Sequence, residues 1–306
     1  MKTGLVSISF RQFEPTEVIE LCVDNALAAI EWGGDVHVPP GDPARAAEVR
    51  ALTEKAGLKV AAYGSYYFVA GKAVTRAATK NRHNFESVLE SAAALGAPLI
   101  RVWAGSKGSD KATEQDWQEV VEDSKRIGDL AASHDIKIAY EYHQGTLTDT
   151  NESAVRLLND VDHDNVSSFW QPPNGAELEY CCEGLENLIR MNKLESVHVF
   201  HWWPGFKDRH PLAVGADRWK KYLSLVNSHE QVNSPERVNS PERVNSPEQV
   251  NSPERVNSNS QAAFKNAELA HRDRYVCLEF VKDDDPENLV DDAKTLNQLV
   301  ADQTAA

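Results

Sequence analysis

The run Lys137-Ile-Ala-Tyr-Glu141-Tyr-His143 reads as a buried strand whose last residues carry side chains able to hold a metal ion. Three further runs end in the same manner: Phe-Trp170-Gln171, Val-His198-Val-Phe-His201 and Cys-Leu-Glu279-Phe. Each is a short apolar segment closing on a carboxylate, an amide or an imidazole. Side chains of a strand alternate between its faces, so Glu141 and His143 point the same way. A closed barrel of such strands would bring these four endings, far apart in sequence, to one pocket.

Around these runs, strand-like and helix-like stretches alternate from end to end. Strands are expected over residues 5–10, 34–38, 59–68, 99–104, 137–143, 166–171, 196–202 and 275–281. Helices are expected over 15–30, 43–56, 75–95, 114–134, 150–159, 177–192, 216–225 and 286–300. Eight βα units are the count of a closed parallel barrel, so the expected fold is α/β, a (β/α)8 TIM barrel over residues 1–306. Active sites of such barrels lie at the C-terminal ends of the strands, where Glu141, Gln171, His198 and Glu279 fall. The plainer reading, polar groups satisfied inside a core, weakens when four endings share one layer, because buried carboxylates without partners are costly.

One segment breaks the rhythm. Over residues 226–261 the chain repeats Val-Asn-Ser every six residues, continuing as Pro-Glu-Arg or Pro-Glu-Gln, between the seventh helix and the eighth strand. With one apolar residue in six it buries little surface, and a low-complexity insert on the face opposite the site is the expectation.

Length and charge bound the function. A chain of 306 residues fits one barrel of about 250 residues with an insertion better than two small domains. The formal charge of −15 argues against nucleic acid as a partner, since binding phosphates rests on clustered Lys and Arg. Cys22, Cys181, Cys182 and Cys277 form neither a disulfide framework nor a thiolate metal site, and a reducing cytoplasm is the simplest setting. No stretch approaches the roughly 18 apolar residues of a membrane helix, so no membrane partner is expected.

Two carboxylates, Glu141 and Glu279, with the His198 imidazole make a mixed O/N donor set suited to one divalent ion, Mn, Co, Mg, Fe or Zn. Gln171 would add an amide oxygen. His143, on the same face as Glu141, is a substitute ligand or a supporting group.

In these residues the chain resembles the xylose isomerase-like TIM-barrel superfamily, in particular the sugar phosphate isomerases/epimerases, with inosose dehydratase and ketose 3-epimerases as relatives. The resemblance rests on Glu31-Trp-Gly-Gly-Asp-Val-His37, Arg101-Val-Trp103-Ala-Gly105, Glu141-Tyr-His143-Gln-Gly-Thr-Leu-Thr-Asp149, Trp170-Gln171-Pro-Pro-Asn174, His198-Val-Phe-His201-Trp202 and Leu-Glu279-Phe-Val-Lys282. It implies metal ligands at Glu141, position 171, His198 and Glu279. Gln171 stands where the family has an acid, which weakens the expected metal affinity or alters metal preference. The implied chemistry is proton abstraction beside a carbonyl of a sugar, sugar phosphate or keto-polyol, with Glu141 and Glu279 exchanging acid and base roles. Isomerisation or epimerisation is the expected outcome. Elimination of water begins with the same step, so a dehydratase or lyase is the competing one.

His37, Arg101, Trp103, His143, Trp170, Asn174, His201 and Lys282 are the candidates for substrate binding. For Arg101 a charge-paired barrel arginine competes with an anion-binding role, and for the tryptophans core packing competes with a sugar-stacking wall. His201 stands where relatives often carry an acid. Two further readings compete. A catalytically inactive sugar-binding barrel would account for Gln171. An endonuclease IV-type DNA repair enzyme would need more histidines, with Tyr63 standing where a zinc histidine is wanted, and would be opposed by the acidic charge. Acidic barrels of this size commonly associate through their outer helices, so a homo-oligomer is among the expectations.

Overall fold

A computed structural model of the chain describes residues 1–71, 84–232 and 274–304. Eight parallel strands close into a barrel: β1 (Lys2–Val6), β2 (Ala29–Gly33), β3 (Lys59–Phe68), β4 (Leu99–Trp103), β5 (Lys137–Tyr140), β6 (Val166–Trp170), β7 (Leu194–Val199) and β8 (Tyr275–Leu278). The helices that follow them are α1 (Pro15–Asp24), α2 (Pro43–Lys55), α3 (Phe85–Leu95), α4 (Glu114–Ala132), α5 (Asn151–Val161), α6 (Leu178–Arg190), α7 (Ala216–Val232) and α8 (Pro286–Thr304). This is the (β/α)8 barrel that the alternation of apolar runs implies. Among the described residues no helix is long and apolar enough to cross a membrane.

Local sequence sets where each helix starts and stops. The Asp42 side chain accepts from the Arg45 backbone N–H ahead of α2, and Thr113 and Asp116 form a reciprocal capping box at the start of α4. Gly96 ends α3 in the left-handed region at φ 70°, where a side chain would be strained. The largest buried side chains include Trp32, Trp170, Trp219, Tyr222 and Phe85, and the main apolar core joins residues of strands and helices.

The barrel interior is built in layers two residues apart. Ala62, Leu99, Ala139 and Phe169 form one buried apolar cluster, and Ala29, Ala61 and Cys277 belong to another. Two residues further along β2, β3, β4 and their neighbours come Glu31, Gly64, Arg101, Glu141, Gln171 and Glu279, with His198 paired to Cys277 across the β7–β8 ladder. The two-residue period of a strand thus places a charged layer directly on a small apolar floor.

Several expected boundaries shift. The second strand is not 34–38 but Ala29–Gly33, because α1 stops at Asp24, Ala26 turns back at φ 53°, and the Leu27 N–H returns to the Cys22 carbonyl. The first strand ends at Val6, and Ser7–Phe10 forms a buried 3-10 turn. The run at 196–202 is two elements: β7 ends at Val199, and His201–Trp202 pairs antiparallel with Arg209–His210 as a separate ribbon. Helix α7 continues to Val232, past the expected start of the repeat segment at 226. The rest of that segment, and the expected first part of the third helix before residue 84, lie outside the described residues.

Candidate active site

The charged layer at the C-terminal ends of the strands holds three buried carboxylates, one guanidinium, one imidazole and one carboxamide. Glu31 is fully buried, and Arg101, Glu141, His198 and Glu279 are each at most 3% exposed. Arg101 donates through Nε to Glu31 Oε1 at 2.6 Å and through Nη1 to Glu141 Oε2. Glu141 Oε2 also accepts from the Trp103 indole at 2.6 Å. On the other side of the layer, His198 Nε2 lies 2.9 Å from Glu31 Oε2, while Nδ1 lies 3.1 Å from Gln171 Oε1 and 3.2 Å from Glu279 Oε2.

Electrostatics follow from this packing. Burial alone would raise the Glu31 carboxyl, but Arg101 and His198 overcome it and hold it at about 2. For Glu141 the same contest between burial and Arg101 ends below the usual carboxylate range. Burial would lower the His198 imidazole, yet Glu279 and Glu31 raise it to about 10. Three carboxylates face a single permanent cation, so the layer has surplus negative charge.

That surplus is matched by geometry. One ligand atom each from Glu141, His198 and Glu279 lies within 4.8 Å of the others, the three being fully buried. Glu279 Oε2 is buried without a hydrogen bond, although it lies 3.2 Å from His198 Nδ1. An orphaned buried carboxylate oxygen in an O/N/O set fits a divalent ion.

Gln171 holds its place between the two halves. Its amide nitrogen donates to the Tyr142 carbonyl at 2.7 Å and to Glu141 Oε1 at 3.3 Å, and its oxygen faces His198. Gly64, on β3 between Glu31 and Arg101, leaves room for the guanidinium to cross.

The structure sorts the other candidates. Arg101, read from sequence as either anion-binding or charge-paired, is the bridge between two carboxylates, although its Nη2 has no partner. Trp103 reaches the layer and packs against Tyr66, Phe68 and the His143 ring at 4.5–5.2 Å between centroids. Trp170 does not reach it: fully buried, it packs on Trp219 and Tyr222 of α7. His37 is buried with Nε2 on the Phe13 carbonyl at 3.1 Å and its ring against Trp32. His201 lies half-buried in the ribbon, its ring 5.9 Å from that of His210. Burial, with His210 and Arg218, lowers the His201 imidazole. Asn174 is exposed, and Lys282 is half-buried with its carbonyl accepting from Asn288.

Glu31 is the member of the layer that sequence reading missed as a functional residue. A helix expected over 15–30 and a second strand placed at 34–38 left it in the connection between them. The signal was present in Ala29-Ile-Glu31-Trp-Gly, an apolar run reaching an acid as those at Glu141 and Glu279 do.

Residues 18–230 match the sequence model of the xylose isomerase-like TIM barrel family. A 3-dehydroshikimate dehydratase from Bacillus anthracis is 29% identical over 179 residues, which cover 54% of this chain and 60% of that protein. The match therefore spans less than two thirds of the relative's length. The crystal structure of a probable 3-DHS dehydratase, AsbF, from the same organism superposes with a TM-score of 0.63 at 21% identity, covering 97% of this chain and 99% of the other. The crystal structure of an IolI protein with a bound zinc atom gives a TM-score of 0.61 at 16% identity, with 99% of each chain covered.

Proposed function

This chain belongs to the xylose isomerase-like TIM barrel family, and from that premise we propose that it is a divalent-metal enzyme that removes a proton beside a carbonyl and eliminates water from a polyhydroxylated ketone. The single observation that carries the reading is the buried Glu141–His198–Glu279 set, with its orphaned Glu279 oxygen at the mouth-side end of the barrel. A bound zinc atom is reported in the IolI structure, which shares this fold, and that supports the metal reading. When bound, the ion supplies positive charge opposite the oxygen on which negative charge develops, the usual role of a Lewis acid.

The two glutamates are not equivalent. Glu141 Oε2 is committed to Arg101 and Trp103, and Oε1 takes a contact from Gln171. Glu279 Oε2 has no hydrogen bond, so Glu279 is the group placed to accept a proton from carbon. In elimination, the electron pair of the broken C–H bond forms the new C=C bond as the neighbouring C–O bond breaks. The proton held by Glu279 leaves with the departing hydroxyl as water. The dehydratase relative favours this ending over the isomerase or epimerase ending expected from the sequence. Both share the first step, and delivery of a proton to the opposite face of that carbon gives epimerisation.

The test is to incubate metal-supplemented protein with a panel of hydroxy-ketones and sugars in deuterium oxide. Loss of water with a new ultraviolet absorbance from the conjugated C=C supports the dehydratase. Deuterium at the carbon beside the carbonyl without loss of water assigns an isomerase or epimerase instead. Neither change with any compound, in protein shown to hold metal, would favour a sugar-binding barrel.

A further inference from the structure

We infer that Glu31 is the positioning residue that presents Nδ1 of His198 to the ion and, through Arg101, sets the orientation of Glu141. The inference rests on the divalent-metal reading above and deepens it.

Glu31 divides its two oxygens between the two halves of the site. Oε2 takes His198 Nε2 at 2.9 Å, and Oε1 takes Arg101 Nε at 2.6 Å. An imidazole whose Nε2–H is held by a carboxylate offers its lone pair at Nδ1, and that nitrogen faces Glu279 Oε2 and Gln171 Oε1. The guanidinium anchored at Nε turns Nη1 onto Glu141 Oε2. One fully buried side chain from β2 therefore orders ligand atoms supplied by β7 and by the residue following β5. No other described acid contacts both His198 and Arg101 by hydrogen bonds at both ends. A bland role, filling the barrel with a satisfied ion pair, would explain the Arg101 contact but not the second one to the imidazole of a candidate ligand.

Outer carboxylates of this kind change metal affinity by about 10- to 100-fold when removed. The experiment titrates Co²⁺ into chelator-treated full-length protein, wild type against Glu31→Gln and Glu31→Asp, following heat and the visible absorption of bound cobalt. The expected result is an affinity lowered by about 10-fold or more in Glu31→Gln, with shifted cobalt bands and a smaller loss in Glu31→Asp. A purely structural role would lower the melting temperature and leave the cobalt spectrum of the folded protein unmoved.

A wild-type measurement stands independently of the folding of any variant. In Zn²⁺-loaded protein labelled with ¹⁵N-histidine, the His198 ring is expected to carry its proton on Nε2 and to show the metal shift on Nδ1. The signal is identified by its loss in His198→Asn. Metal on Nε2, or unchanged cobalt affinity and spectrum in Glu31→Gln, overturns the role of Glu31 and leaves the metal site standing. Absence of Co²⁺ and Zn²⁺ uptake by wild type overturns the metal reading and this inference with it.

Discussion

Gly64 faces the guanidinium of Arg101 so closely that a Cβ built on it would lie 2.6 Å from Arg101 Nη2 and 3.0 Å from Glu31 Oε1. Gly64 has no left-handed backbone, so space alone excludes a side chain there. Both threatened atoms sit on side chains joined in a buried ion pair, and neither is the free end of a surface side chain. Gly64→Ala is expected to cost about 1–3 kcal/mol as overpacking and to lower metal affinity by displacing Glu31 or Arg101. Thermal melts of the metal-free protein and a metal titration separate the two effects. An alanine variant with wild-type melting temperature and affinity would mean that the layer can relax.

The two glutamates are expected to separate in stability though not in activity. Glu141→Gln removes one partner of a buried Arg101 pair, a change that costs about 3–5 kcal/mol when the other charge is left behind. Glu279→Gln leaves Arg101 with both of its carboxylates, and His198, which loses its 3.2 Å partner, keeps the carboxylate of Glu31. Both variants should lose about 10²–10⁴-fold in turnover once a substrate is in hand, while Glu141→Gln shows the larger fall in melting temperature. Equal destabilisation by the two would contradict the division of labour proposed for them.

Asp292 on α8 gives a pH dependence remote from the charged layer. Its carboxylate accepts the Leu212 backbone N–H at 2.7 Å, and burial raises its pKa from 3.8 to about 6. Between those values the native state binds a proton that the unfolded chain has released, so this group's contribution to stability falls as pH rises through the window and stays low above it. Asp292→Asn keeps an oxygen for Leu212 and has no charge to bury. Its melting temperature should exceed that of wild type at pH 7.5 and converge with it toward pH 4.5. An advantage that grows on acidification would reverse the assignment.

The alternation of strand-like and helix-like runs made the barrel legible, because seven of the eight strands were expected within a few residues of their observed positions. The metal candidates Glu141, His198 and Glu279 were legible for the same reason: each closes an apolar run. What could not be read was where an apolar helix yields to an apolar strand. Between Asp24 and Ala29 the turn is made by Ala26 in a left-handed conformation, with none of the glycine or proline punctuation that marks such a reversal. That error hid Glu31. The other misreadings concern direction: Trp170 and Gln171 are adjacent in sequence, and the same alternation that sends Gln171 into the barrel sends Trp170 out against α7.

This difference in direction gives the last prediction. Trp103 and Trp170 both sit near strand ends, and sequence alone made each a candidate wall of a sugar pocket. Trp103→Phe keeps an aromatic ring beside Tyr66 and Phe68 but deletes the indole N–H that Glu141 Oε2 accepts. A hydrogen bond to a charged group contributes about 1.5–3 kcal/mol, so the melting temperature should fall, and kcat/KM should fall with it by about 10-fold or more because Glu141 loses a partner that orients it. Trp170→Phe removes volume from the packing with Trp219 and Tyr222, on the face of the strand turned away from the Gln171 side chain. It should lower the melting temperature through a loss of about 1–3 kcal/mol and leave kcat/KM within about twofold of wild type. Measuring both parameters on both variants decides the matter: if Trp170→Phe alters KM while Trp103→Phe does not, the substrate meets the barrel on the other side of β6, and the site must be redrawn around the ribbon at His201.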